Sequence, residues 1–580
     1  MKPIPTSLRL ALLSATATLV AGCATPSPHA PATPAPSAID VPAIQRPAQE
    51  TPEWWFRNGA AQAAKASQEA NAGGQHAKNV IVFLGDGMSI PTIAAAHIRA
   101  GQLKGVDGES YRLSFENFPF SALSRTYETD QQTPDSAGTM TSIMSGVKTR
   151  AGFIGVSQVP KRQDCLTSKG QELVSTLELA SAAGMSTGAV TTTRVTHATP
   201  AATYGHLPER NWEVDAAIPA DIRAQGCKDF AAQLVDFPQA SGLTVAMGGG
   251  RTEFMPRGVA DPEYADKSGQ RLDGRDLIAE WKAKHPGGEY VWNEAQFKAL
   301  DISKTTNVLG LFEPSHMNYA HDRPNDKAGE PSLAEMTATA IKVLKKNPNG
   351  FFLMVEGGRI DHALHAGNAY RALDETIGMA DAVQAALDNT DASDTLIVVT
   401  ADHSHTMAFA GYPTRGNPIL GLVRGATDSY DEEGGAGLAK DASGKPYTTL
   451  TFANGPGYTG ASDAQPEGSK TYPHNPRTYT GVTKGRPDLT HVDTTAPDYM
   501  QESVYPMKAE THGGEDVAIF AHGPGAAAFH GELEENAIFH VIVQHAPLIR
   551  GELCKLGSCN ADGVPVNRPT YEAWKTQSIK

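Results

Sequence analysis

Basic residues are scarce in this sequence: 49 Lys and Arg stand against 64 Asp and Glu, a formal net charge of −15 over 580 residues. A nucleic-acid surface needs clustered cations to displace phosphate counterions, so this balance argues against an extended one and leaves room for a focused anion site. Cysteine is scarcer still. Only five are present, and none has metal-finger spacing, which excludes a zinc-finger core. No internal repeat is visible, which excludes a solenoid. The serine-rich string TPDSAGTMTSIMSGVKT carries no Gly-x-Ser-x-Gly elbow, so a lipase-type triad finds no support there. With 40% hydrophobic and 19% charged residues, the composition is that of a globular protein with a sizeable core.

Lys2 and Arg9 precede an apolar run from Leu10 to Val20, then Ala21-Gly22-Cys23. This is the layout of a secretory signal over residues 1–23, with a run too short to span a bilayer. Its last four residues are similar to a bacterial lipobox. The expectation is therefore an exported protein, periplasmic or at the cell surface, lipid-anchored through Cys23, with Ala24 pointing to the outer membrane. An ordinary cleaved signal is the alternative. Residues 24–50 are rich in Pro and Ala and read as an extended spacer, leaving 51–580 as the catalytic body. The other four cysteines form an even set for an oxidising compartment. Three pairings are open; closeness in sequence favours Cys554 with Cys559 and leaves Cys165 with Cys227, against the alternative of reduced thiols.

From Asn79 onward short β-type runs alternate with longer helical patterns, which predicts an α/β fold with a doubly wound, mostly parallel sheet and helices on both faces. NVIVFL leads into Gly85-Asp86-Gly87, STGAVTTT into His197, FFLMV into Glu356 and TLIVVT into Asp402-His403. Catalytic groups in such sheets collect at the carboxyl ends of strands, so four strands deliver metal-competent side chains to one edge. A Gly-, Pro- and Tyr-rich stretch at about 455–505 breaks the rhythm and reads as an inserted subdomain.

Asp361 and His365 stand four apart at a helix start and can grip one cation, although such a pair alone is more often an exposed polar face or a helix cap. Glu356 after an apolar strand is harder to explain structurally, since an unpaired buried carboxylate is unfavourable. Asp402-His403 reads either as ligands or as a cap with a satisfied histidine. Asp86 lies between two glycines that let the backbone approach closely. His512 alone would mean little. Together Asp86, Glu356, Asp361, His365, Asp402, His403 and His512 offer oxygen and imidazole without thiolate, a mixture suited to zinc and to a harder ion such as magnesium. Pro134-Asp135-Ser136 reads as a helix start, where the dipole favours an alkoxide or phosphate; simple N-capping by Asp135 or Ser136 is the alternative.

The strings VIVFLGDGM, TPDSAGTMTSIMSGVKT, TRVTHATPAATYGHLPERNW, LGLFEP, EGGRIDHALHAGN, TADHSH and ETHGGEDVAIFAHGP resemble the motif series of alkaline phosphatases, in order, over about residues 78 to 560. His197 and LGLFEP make the chain more similar to the animal branch, here in an expected bacterial lipoprotein form. The resemblance implies hydrolysis of phosphate monoesters through a phosphoserine at Ser136, with Arg210 holding the phosphoryl oxygens. It implies one zinc on Asp361, His365 and His512 and a second on Asp86, Asp402 and His403. Magnesium would take Asp86, Thr199 and Glu356, with His197 acting through water.

The resemblance further implies a homodimer and a remote calcium site at Glu263, the Phe312 carbonyl, Glu313 and Glu330. Glu330 stands where Asp is usual, and a solvated acidic surface is the alternative reading of that site. The rival functions are a phosphodiesterase or nucleotide pyrophosphatase on the same scaffold and a non-catalytic metal-binding lipoprotein.

Overall fold

The computed structural model of the chain describes residues 45–238, 242–425 and 437–578. Cys23 and the expected signal lie outside them, as does most of the expected spacer. The end of that spacer packs on the body: Trp54 Nε1 donates to Gln45 O at 3.0 Å and Arg46 Nη2 to Tyr127 OH at 2.8 Å. Thr51 then caps a helix over Pro52–Glu69, its hydroxyl accepting from Trp54 N, with Pro52 in the first turn where no N–H is needed.

Ten strands form the main sheet: β1 (Asn79–Gly85), β2 (Phe120–Arg125), β3 (Ser186–Arg194), β4 (Val245–Gly249), β5 (Glu289–Val291), β6 (Val308–Leu311), β7 (Phe351–Gly357), β8 (Thr395–Thr400), β9 (Val517–His522) and β10 (Gly531–Glu534). Their spatial order is β10-β2-β9-β8-β1-β7-β3-β4-β6-β5. Every pair from β8 to β5 is parallel, whereas β9 runs antiparallel to both neighbours. The doubly wound, mostly parallel architecture expected from the sequence is the one found.

The apolar runs are continuous because both faces of the sheet are covered. Along β1, Val80, Val82 and Leu84 join a core with Trp55, Phe56, Met140 and Phe539, while Ile81 and Phe83 join another with Met336, Leu373 and Val383. The first core packs the helices Pro52–Glu69, Ser136–Ser145 and Ala537–His545; the second packs Leu333–Leu344 and Ala369–Asn389. In register, Leu84 lies beside both Glu356 and Thr400, so β1, β7 and β8 end level.

Two smaller features set the rim. The two-residue strand Ser404–His405 pairs antiparallel with His512–Gly513, opposing His405 to His512. The expected insertion at 455–505 begins and ends on a three-stranded sheet of Met407–Phe409, Leu450–Gly455 and Ser503–Pro506. Cys165 is bonded to Cys227 and Cys554 to Cys559, the pairing favoured by sequence proximity. Among the described residues no helix is long and apolar enough to cross a membrane.

Candidate metal centre and nucleophile

Asp86 follows β1, Asp402 and His403 follow β8, and the helix Ser136–Ser145 brings Ser136 to them. His403 Nε2 lies 3.4 Å from Asp86 Oδ1 and 3.4 Å from Asp402 Oδ2. Ser136 Oγ sits 3.1 Å from His403 Nε2 and 3.4 Å from Asp86 Oδ1. Asp402 Oδ1 is used up by the N–H groups of Gly87 and His403, at 3.0 Å each, which leaves Oδ2 buried without a donor. Asp86 Oδ2 is likewise unpartnered. Burial, then the neighbouring carboxylates, push Asp86 well above the usual carboxylate range. Carboxylates in a dry site whose oxygens meet no proton donor fit divalent cations.

A second group gathers on Asp361 Oδ1: His405 Nε2 at 2.7 Å, His365 Nε2 at 3.2 Å and His512 Nε2 at 3.3 Å. The rings are turned to show Nε2 because Nδ1 is engaged elsewhere, in His365 by Glu510 O at 2.5 Å and in His512 by Pro134 O at 2.7 Å. Such contacts fix tautomer and orientation in metal sites. Burial works against the charge of His405, but Glu510 and Asp361 outweigh it and raise its pKa to about 10.

The third group joins Asp86, His197 and Glu356. Glu356 Oε2 accepts from the hydroxyls of Thr191 and of Thr193, the latter at 3.0 Å, while Glu356 Oε1, Thr199 Oγ1 and His197 Nδ1 are buried without partners. Burial raises Glu356 to about 7. An oxygen-rich corner with several unmet acceptors suits a harder ion than the imidazole-rich group does.

Arg210 reaches this rim from a loop: Nη1 donates to Asp135 Oδ2 at 3.0 Å and Nη2 lies 3.4 Å from His197 Nε2. Asp135 is also the cap of the Ser136 helix, its Oδ1 accepting from Ala137 N and Gly138 N at 3.1 and 3.0 Å. Capping and the rim therefore share one residue.

Away from the rim, Glu313 and Glu330 are bridged by Asn318, whose Nδ2 donates to Glu313 at 3.0 Å and whose N donates to Glu330 at 2.9 Å. Asp326, absent from the sequence reading, adds two buried oxygens without donors, and Glu330 Oε2 is a third. Arg251 partly engages the expected ligands, donating to Phe312 O at 3.1 Å and to Glu263 Oε2 at 3.2 Å. Burial and then Glu263 and Asp326 raise Glu313 to about 7; burial and then Glu313 raise Glu330 to about 9.

All eight expected zinc and magnesium ligands, Ser136, Arg210 and His197 are thus placed in these adjoining groups. Sequence reasoning passed over His405 and Glu510 and saw Asp135 only as a helix cap. His405 had a signal: it lies two residues beyond His403, and alternate positions of a strand share a face. Glu510 had none, because its contacts depend on how the chain from 455 to 512 returns. His316 and His362 were also passed over; their rings lie 4.3 Å apart beside His197.

The alkaline phosphatase family model matches residues 77–548. The chain is 42% identical to the tissue-nonspecific alkaline phosphatase isozyme of Gallus gallus over 505 residues, covering 86% of this chain and 90% of the relative. It is 43% identical to the alkaline phosphatase of Gadus morhua over 475 residues, covering 81% and 92%. Among solved structures, Thermus thermophilus alkaline phosphatase is similar in fold, with a TM-score of 0.55 at 23% identity over 82% of this chain and 92% of that one. These sequence relatives are vertebrate enzymes, which overturns the expected bacterial lipoprotein form. The periplasmic or cell-surface, lipid-anchored location expected with it falls for the same reason, and Cys23, on which both rested, is outside the described residues.

Proposed function

The chain belongs to the alkaline phosphatase family, and from that membership we propose how its own residues divide the work of removing phosphate from monoesters. The observation that carries the reading is the position of Ser136 Oγ, within 3.1 Å of His403 Nε2 and 3.4 Å of Asp86 Oδ1, beside the donorless Asp402 Oδ2. Asp86, Asp402 and His403 would hold one zinc next to that hydroxyl. Asp361, His365 and His512 would hold the other, and Asp86, Thr199 and Glu356 a magnesium, with His197 contributing through water. When bound, such ions supply Lewis acidity that favours an alkoxide and stabilises the attacking and leaving oxygens of an in-line displacement.

Ser136 gives up its proton to solvent and attacks phosphorus as the bond to the ester oxygen breaks, forming a phosphoserine, and the departing alkoxide takes a proton from solvent to leave as the alcohol. Arg210, kept in place by Asp135, offers paired N–H donors to the equatorial phosphoryl oxygens, where charge is spread in a loose transition state. His405 supports Asp361 from the side turned to Glu510, so the carboxylate keeps one orientation through both half-reactions. Water then attacks phosphoserine from the vacated side and phosphate leaves. The helix dipole at Ser136 favours the negative charge throughout.

A calcium ion among Glu263, the Phe312 carbonyl, Glu313 and Glu330, with Asp326 added, is supported by the donorless oxygens of Asp326 and Glu330 and by the raised Glu313 and Glu330. Homodimer formation rests on the resemblance alone. The deciding experiment is metal analysis together with trapping of the phosphorylated residue: zinc and magnesium with label on Ser136 are expected. Full turnover after rigorous chelation, or label elsewhere, would remove the reading. A marked preference for diesters over monoesters under identical conditions would favour the phosphodiesterase alternative.

A further inference from the structure

Glu128 is buried just before the helix that carries Ser136, and its carboxyl group meets an acceptor where a donor would be expected. The residue is 4% exposed, and among the described residues neither of its oxygens accepts a well-formed hydrogen bond, the Asp135 N–H approaching only loosely. Its neighbour is Asp135, whose two oxygens already accept from Ala137 N, Gly138 N, Gly152 N and Arg210 Nη1 at 2.9–3.1 Å. Burial disfavours the charge on Asp135, but Arg210 and the backbone N–H groups outweigh it and bring its pKa down to about 2. Asp135 is therefore the ionised partner.

The side chains of Glu128 and Asp135 are in hydrogen-bond contact, and two carboxyls so placed in a dry site cannot both be ionised. Burial and then the charge of Asp135 push Glu128 well above the carboxylate range. The neighbouring cation does not relieve it: Lys148 Nζ donates to Arg125 O and Tyr127 O at 2.8 Å each and pairs with Glu534 at 3.0 Å. Space for the carboxyl exists because residue 138 is glycine; a Cβ there would lie 2.0 Å from Glu128 Oε1 and 2.8 Å from its Cδ. The Asp-Ser-Ala-Gly sequence at the helix start thus accommodates a second acid beneath the nucleophile.

We propose that Glu128 is a positioning residue for the phosphoryl clamp: as the neutral acid it donates its O–H to Asp135 and so weakens the hold of Asp135 on Arg210, leaving the guanidinium available to a phosphoryl group. The inference rests on Arg210 holding the phosphoryl oxygens, as read above. Without this donor, Asp135 would grip and neutralise Arg210 more strongly. Affinity for phosphate would fall, while cleavage at Ser136 would proceed at much the same rate.

The test uses the full chain loaded with zinc and magnesium. Glu128→Leu removes the donor, whereas Glu128→Gln keeps an N–H donor at the same place. With Glu128→Leu, KM for an aryl phosphate and the inhibition constant of inorganic phosphate are both expected to rise about fivefold, the size of one ordinary hydrogen bond, with kcat little changed. Glu128→Gln is expected to restore both constants. Equal effects of the two variants, or an unchanged phosphate inhibition constant in Glu128→Leu, would overturn the proposal. Should Glu128→Leu not fold, infrared difference spectra of the parent against Glu128→Gln decide. A neutral carboxyl band lost in Glu128→Gln is expected, and its absence from the parent rejects the idea. That band needs no turnover, so its failure is separable from failure of the Arg210 assignment, which would appear as unaltered phosphate inhibition in Arg210→Ala.

Discussion

Ser136 Oγ lies 3.1 Å from His403 Nε2 across 267 residues of chain, and among the described residues no polar group other than the Asp86 carboxylate, at 3.4 Å, is in hydrogen-bond contact with it. On the function proposed above, a hydroxyl placed between an imidazole nitrogen and a carboxylate that both have metal-binding capacity would be ionised by a cation. Replacing Ser136 with Ala is therefore expected to lower kcat by about 10³-fold or more while zinc and magnesium contents stay at parental levels. Loss of metal together with activity would instead mark Ser136 as structural.

Among the described residues Arg210 has one carboxylate partner, Asp135, at 3.0 Å. Arg210→Ala is expected to raise KM and the phosphate inhibition constant by roughly 10- to 100-fold, the range for charge-assisted hydrogen bonds. Arg210→Lys should recover little of this, because an ammonium lacks the planar fork. Measuring inorganic phosphate inhibition of each variant checks both statements.

Stability without cations should depend on pH in a defined window. In the metal-free fold Glu356 and Glu313 sit at about 7, Glu253 at about 8 and Glu330 at about 9, against an ordinary 4.5. A carboxyl protonated in the fold but ionised in the unfolded chain favours unfolding progressively as pH climbs from its unfolded value to its folded one. Buried histidines such as His362, lowered to about 3 from 6.5, act in the opposite sense, but only below about pH 6.5. Chelated protein is thus expected to lose melting temperature between about pH 6.5 and 9, and restoring zinc, magnesium and calcium should flatten the slope. A flat profile after chelation would contradict this.

Calcium can be separated from the other ions through Glu330. Added calcium is expected to raise the melting temperature of the parent and to leave Glu330→Gln unmoved, with monoester turnover preserved in both. Equal stabilisation of the two proteins would place the ion elsewhere.

The disulfides should contribute unequally. Loop-closure entropy gives roughly 4 kcal/mol for the Cys165–Cys227 bridge, with a sequence separation of 62, and roughly 2 kcal/mol for Cys554–Cys559, with a separation of 5. Urea unfolding of Cys165→Ser and Cys554→Ser should rank in that order.

Much of this arrangement was legible because each β-type run ends in a polar residue that an apolar strand has no structural use for. Asp86, Glu356 and Asp402 stood out in that way, and the parallel sheet followed from the same runs. Asp135 was visible only as a cap; its second role depends on Arg210, which lies 75 residues on and arrives by a loop pairing, Arg210 N to Gly152 O at 2.9 Å. His512 carried no signal of its own, since its place is set by the two-residue pairing with Ser404–His405. Glu128 could not be read at all, because its chemistry comes from facing another acid, a contact that no spacing encodes. The amino-terminal lipobox led the reading astray: a four-residue pattern is a weak guide to where a protein resides.

The level endings of β1, β7 and β8 have a consequence for engineering. Asp86, Glu356 and Asp402 lie at or just beyond the ends of adjacent interior strands clamped between two apolar layers, whereas β5 and β10 close the sheet far from them in strand order. Those outer margins are where fused domains or grafted loops could be attached with least disturbance to turnover.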